Sequence, residues 1–146
     1  MRQLIIARKD LNMSAGKLAA QCCHASMAFI TSPMRNGNCQ WVGTGGITYK
    51  ADIDTDVYKE WICGIFTKTI CEAKNRNQLM KAVTMANELG LIEGKDFFLI
   101  KDSCLTELEP EEIDENGVGR TLTCIGFRPL PDDIAHLISK KYQLYK

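Results

Sequence analysis

The sequence predicts an α/β layered fold in one domain spanning residues 1–146, and three observations predict it. Short runs rich in apolar and β-branched residues alternate along the chain with stretches whose apolar residues recur at helical spacing. A length of 146 residues suits one hydrophobic core, with no linker long enough to divide it. An apolar fraction of 45% and a charged fraction of 25% sit at globular averages, which disfavours a disordered, collagen-like or coiled-coil chain.

Taken in order, residues 2–8 (RQLIIAR) form an apolar run flanked by charge, as expected of a strand buried on both faces. Residues 14–30 read as a helix. Ser14 can cap it, Leu18, Cys22, Ala25 and Phe29 form its buried stripe, and Ser32-Pro33 stops it. From about residue 33 to 56, Asn, Gly, Thr and isolated aromatics replace this pattern. Trp41-Val42 and Ile47-Thr48-Tyr49, separated by glycines, predict a hairpin insertion. A short helical piece over 57–63 and a second strand over 66–71 follow. Asn75 caps the next helix, whose apolar face is Leu79, Ala82, Val83, Ala86 and Leu89, and Gly90 follows its last turn. Residues 97–100 form a third strand and 121–127 a fourth, and Pro131-Asp132-Asp133 opens a final helix. Between those strands, Glu107–Glu115 carries six acids in nine residues and ends on the Asn116-Gly117 turn, the pattern of a solvated loop.

Zero net charge conceals an asymmetry. Residues 1–50 hold six Lys and Arg against the single acid Asp10, and the remainder is correspondingly acidic, a split compatible with a nucleic-acid partner. Seven cysteines and no secretory h-region near residues 1–6 predict reduced thiols in the cytoplasm. No apolar run reaches the ~20 residues that a membrane span needs.

The turn after the first strand runs KDLNMSAGK and places Lys17 where the first helix begins. Helix starts at the carboxyl edge of a sheet attract anions and ligands. At about 100° per residue, Gln21 and His24 share one polar stripe with Lys17. That stripe is either the solvated face of an amphipathic helix or one wall of an active site. Asp102 and Thr106 follow the third strand, where they are turn formers or partners of Lys17 brought close by parallel strands. Lysine, carboxylate and hydroxyl together suit ester hydrolysis: the cation stabilises an oxyanion, and the other two orient water and relay protons.

Other patterns lead elsewhere. Asp52, Asp54 and Asp56 have calcium-loop spacing, but Val57 and Cys63 stand where glycine and glutamate are needed. Gly43, Gly45 and Gly46 open no helix and precede no Lys-Ser/Thr. Cys22-Cys23-His24 lacks a second ligand pair, and Cys23 and His24 point about 100° apart, which argues against zinc and against a thiol nucleophile. Neither a metal nor a cofactor is expected.

The string Arg8-Lys9-Asp10-Leu11-Asn12-Met13-Ser14-Ala15-Gly16-Lys17-Leu18-Ala19-Ala20-Gln21-Cys22-Cys23-His24-Ala25 resembles the N-terminal signature of the type 2 peptidyl-tRNA hydrolases. Asp102 and Thr106 match the ends of that family's Asp-Ala-Gly-Arg-Thr stretch, and Thr121, Ile125-Gly126 and Pro129 resemble its closing strand. Residues 33–56 and 111–118 look like insertions. The resemblance implies a three-layer α/β/α fold with a mixed, mainly parallel four-stranded sheet, peptidyl-tRNA as substrate, no metal, and a homodimer as a further partner. It also implies a catalytic set of Lys17, Asp102, Thr106 and His24, with Gln21, Thr121, Lys9 and Arg8 binding substrate. Ser103-Cys104-Leu105 replaces the family's Ala-Gly-Arg, and Glu107 a common Gln, which removes positive charge beside the expected RNA contact. The alternative is a tRNA-binding or regulatory protein that keeps this fold without the reaction.

Overall fold

The computed structural model describes residues 1–37 and 39–146; Asn38, inside the predicted insertion, lies outside the described residues. Strand β1 (Gln3–Arg8) is buried along its whole length, as its apolar run requires. Helix α1 (Ala15–Arg35) follows, then the antiparallel hairpin β2 (Cys39–Val42) and β3 (Gly46–Tyr49), in which Trp41 faces Ile47. A wide-turned helical segment, Val57–Ile65, leads into β4 (Lys68–Ala73) and α2 (Arg76–Glu88). Strands β5 (Phe97–Asp102), β6 (Glu112–Ile113) and β7 (Gly119–Phe127), helix α3 (Asp132–Ser139) and β8 (Gln143–Leu144) complete the order.

The main sheet is mixed, in the order β5-β7-β1-β4-β8, with β6 added to the end of β7. β1 and β4 are parallel, while β7 runs antiparallel to both β1 and β5. Three of the four long strands, β1, β4 and β5, therefore point the same way. Alternation along β1 sends Leu4 and Ile6 to a core shared with α2 and α3, and Ile5 and Ala7 to a core shared with α1. The result is the expected α/β/α layering.

Local signals act as predicted at α2, where the Asn75 side chain accepts from the Gln78 N–H at 2.9 Å and Gly90 takes a left-handed φ of +76°. The end of α1 differs from the prediction, because the helix continues through Pro33 to Arg35. Proline in the final turn removes a single intrahelical donor, and the Asn36 N–H closes the end on the Ser32 and Pro33 carbonyls. The edge strand β8 gives too short a signal to be read from sequence.

The approach of α1 to the sheet is set by Gly126, where an added Cβ would lie 2.4 Å from the Ala25 carbonyl oxygen. Gly126→Ala is expected to push α1 outward and destabilise the fold by about 1–3 kcal/mol. Urea unfolding would show this as a lower midpoint, and an unchanged midpoint would mean that α1 is not seated as described.

Candidate active site

Two backbone features aim the first half of the site. Asn12 adopts a left-handed φ of +47°, which asparagine tolerates, and turns the chain after β1. Ser14 then caps α1, its Oγ accepting from the Lys17 N–H at 3.2 Å, so the first helical turn crosses the carboxyl edge of the sheet. The second half comes from β5, where Phe98, Ile100 and Asp102 alternate onto the α1 side. Because β5 and β1 run the same way, with β7 between them, Asp102 and the start of α1 arrive at one edge.

There Lys17 Nζ lies 2.9 Å from each carboxylate oxygen of Asp102 and 3.3 Å from Thr106 Oγ1. Both members of the ion pair are largely shielded from solvent, while Thr106 is exposed at the rim. Burial disfavours the charged Asp102, yet hydrogen bonds from Lys17, the Cys104 N–H and Gln21 outweigh it and hold the carboxyl below its ordinary range. Cation, carboxylate and hydroxyl are thus presented together where a substrate can reach them. This arrangement can stabilise a developing oxyanion and orient a water molecule.

Gln21 is buried and works inward. Its Nε2 donates to Asp102 Oδ2 at 2.8 Å, and its Oε1 accepts from Thr123 Oγ1 at 2.7 Å. Thr123 was not foreseen. The β5–β7 register shifts between Ile100 and Lys101, leaving Thr123 as the additional residue of β7, and this bulge turns its side chain toward α1. Regular alternation would have placed it on the opposite face with Ile125. Thr121 is 0% exposed, with its hydroxyl donating to the Glu109 carbonyl at 2.6 Å and accepting from the Glu111 N–H at 3.1 Å. It organises the loop after β5 rather than facing a ligand. Glu107 clamps that loop to α1, accepting from the Ser14 N–H at 3.0 Å and the Ser14 hydroxyl at 2.7 Å, which holds its own carboxyl low.

The remaining predicted residues lie elsewhere. His24 shares the angular position of Lys17 but sits about 10 Å farther along the helix, and no hydrogen bond joins it to Lys17, Asp102 or Thr106 among the described residues. Arg8 is 3% exposed and committed to Asp10 and Glu111 at 2.7–3.1 Å. Lys9 pairs with Glu72 at 3.2 Å and lies over the Tyr145 ring. Both side chains are thus engaged by partners within the protein. The acidic run is likewise not simply solvated: Glu111 and Glu112 bind Arg76, Glu112 also meets Lys101, and Asp114 holds Arg120. Among the described residues, no group of three or more His, Cys, Asp and Glu side chains is placed to hold a metal ion.

Comparison with known proteins gives matches along nearly the whole chain. A family model described as Peptidyl-tRNA hydrolase PTH2 matches residues 1–145. The chain is similar to a peptidyl-tRNA hydrolase of Thermoplasma acidophilum, 27% identical over 143 residues that cover 98% of this chain and 97% of the relative. It is also similar to one of Saccharolobus solfataricus, 24% identical over 144 residues, covering 99% and 98%.

The depressed Asp102 carboxyl fixes the sign of a pH effect. Its contribution to stability is complete above the ordinary aspartate value of about 4 and is lost as pH falls through the lower folded value. Side-chain carboxyl NMR should show Asp102 titrating below that ordinary value, and Lys17→Ala should move it upward because burial is then less opposed. An Asp102 that titrates identically in both proteins would mean that the ion pair is not formed.

Proposed function

The chain belongs to the peptidyl-tRNA hydrolase PTH2 family, and from that premise we propose that it cleaves the ester between peptide and tRNA with Lys17, Asp102 and Thr106 as its catalytic residues. The observation that carries this reading is the convergence of Lys17 Nζ on both oxygens of Asp102 and on Thr106 Oγ1. Water adds to the ester carbonyl, the bond to the tRNA 3′ oxygen breaks, and free tRNA and a peptide acid leave. The Lys17 ammonium stabilises the negative charge that grows on the carbonyl oxygen.

Asp102, kept ionised by its neighbours, holds Lys17 in place and accepts a hydrogen bond from the attacking water. A carboxylate so strongly stabilised is a weak base, so its part is orientation rather than proton storage. Thr106, which accepts from Lys17, keeps its own proton for the departing 3′ oxygen and is replenished by the proton that water sheds. Gln21 and Thr123 act through Asp102 as positioning residues.

A non-catalytic tRNA-binding role would leave Ser103-Cys104-Leu105 as drift, yet the Cys104 N–H donates to Asp102 Oδ1 at 2.9 Å and supports the carboxylate. The proposed place of action is the cytoplasm, where peptidyl-tRNA arises. Among the described residues, no helix is long and apolar enough to cross a membrane. Self-association into a homodimer belongs to the same reading on the strength of the family resemblance, although each of the three catalytic residues comes from one chain.

Lys17→Ala and Asp102→Asn are each expected to lower kcat on N-acetylaminoacyl-tRNA about 10²–10³-fold, the usual cost of losing preorganised charge at a developing oxyanion. Single-turnover deacylation, with circular dichroism to establish folding, checks this. A folded Lys17→Ala protein with undiminished kcat would remove lysine from the mechanism.

A further inference from the structure

Beside the catalytic cluster lies a groove that the reaction as described does not use. It runs between α1 and the outer edge of β5, has a volume of about 560 Å³, and is lined in part by His24, Met27, Arg35, Phe98, Leu99 and Lys101. Ile100 and Lys101 line one end of the groove and directly precede Asp102 on β5, so that end lies toward the strand terminus that carries the proposed ester-cleaving carboxylate. The other end reaches Arg35, at the last turn of α1.

The backbone of β5 defines what this groove can hold. β5 is the terminal strand of the sheet, paired on one side by β7. The Arg128 N–H donates to the Asp96 carbonyl at 2.9 Å, which places Asp96, Phe98 and Ile100 in the bonded register with β7. By alternation, Phe97 and Leu99 turn their N–H and C=O outward. The Phe97 carbonyl is already taken by the Gly94 N–H at 2.8 Å, whereas Leu99 has no partner outside the sheet among the described residues. Leu99 therefore offers one donor and one acceptor side by side, above an apolar floor that includes Phe98 and Met27.

Resting on the hydrolase reading, we propose that this groove holds the peptide portion of the substrate, added as an extended strand to the outer edge of β5. An extended peptide matches both groups of Leu99 with the N–H and C=O of a single residue, whereas RNA would have to bring a phosphate to the Leu99 N–H and a ribose hydroxyl to its carbonyl at the same time. From Cys23 to Arg35 the helix extends about 18 Å, room for about five extended residues beside the ester. Among the described residues no carboxylate lines the groove, and Arg35 adds positive charge at its far end, whereas Lys101 is already paired with Glu112. Neutral and acidic peptides are accordingly favoured over basic ones.

The test compares N-acetylaminoacyl-tRNA with pentapeptidyl-tRNA carrying the same ester-linked residue, on the wild-type protein and on a Met27→Trp/Thr31→Trp variant that fills the groove from two adjacent turns of α1. The wild type is expected to favour the longer substrate by about tenfold in kcat/KM, and the variant to bring that ratio close to one. The ratio is internal to each preparation, so a partly folded variant cannot mimic the effect. A wild-type ratio near one, or a preference that survives the filling, overturns the assignment. Equal loss on both substrates also overturns it, and gives the groove to RNA instead. Failure of the wild type to cleave either substrate removes the hydrolase reading itself, an outcome distinct from the others.

Discussion

The ion pair between Lys17 and Asp102 is the contact on which the rest of the site depends. It joins the start of the first helix to the end of an outer strand, 85 positions apart in the chain. Shielding two charges from water is costly, and further hydrogen bonds to the carboxylate offset that cost. Gln21 and the Cys104 N–H supply them. Each imposes its own requirement on the fold, namely a buried amide held by Thr123 and a loop residue with a left-handed φ of +55°. Hydrophobic side chains of similar volume often serve stability as well as a shielded ion pair, so this polar assembly is better understood as a demand of the proposed chemistry.

Long-range charge pairing also accounts for the electrostatic asymmetry of the sequence. The basic first third meets the acidic remainder inside the folded molecule: Arg2 approaches Asp132, Arg8 binds Glu111, Lys9 binds Glu72 and Lys17 binds Asp102. Four of the six basic residues in 1–50 are thus spent on holding strand β1 and its turn to distant segments. A charge split along a sequence is then no measure of a basic face. The polyanionic part of the substrate must be met by other cations or by backbone donors around the rim of the site.

Much of this was legible in the sequence where the signal is local. The Lys17–Gln21 stripe, the Asn75 cap, the Trp41–Ile47 hairpin and the layered order all follow from periodicity, capping and turn chemistry. The convergence of Lys17 and Asp102 needed one further condition, strands of like direction, and the topology meets it with an antiparallel strand between them. What escaped was set by register and packing. Thr123 reaches Gln21 because of a bulge, and nothing in the alternating string GRTLTCIGF marks where the additional residue falls. Angular position alone suggested that His24 belongs with Lys17, but rise along the axis separates them. Arg8 and Thr121 look like surface polar groups until their distant partners are known.

The loop after β5 shows how side chains can change while a site persists. Cys104 and Glu107 both have left-handed backbone angles, strain of about 1–3 kcal/mol each for residues other than glycine. That strain is offset by specific returns: the Cys104 N–H reaches Asp102, Glu107 grips Ser14, and Thr106 between them meets Lys17. What this stretch must supply to the carboxylate is a backbone N–H, which Ser103-Cys104-Leu105 also provides, with Cys104 bearing a left-handed angle that the glycine of Ala-Gly-Arg would adopt without strain. A second cost of the exchange falls outside the cluster, at Leu105, which is 86% exposed where the family pattern has a cation. On the proposed mechanism, the loss of a positive charge at the rim with Lys17, Asp102 and Thr106 undisturbed alters how substrate is held rather than what is done to it. Such a change is tolerable when part of the binding energy comes from a portion of the substrate that carries no phosphate.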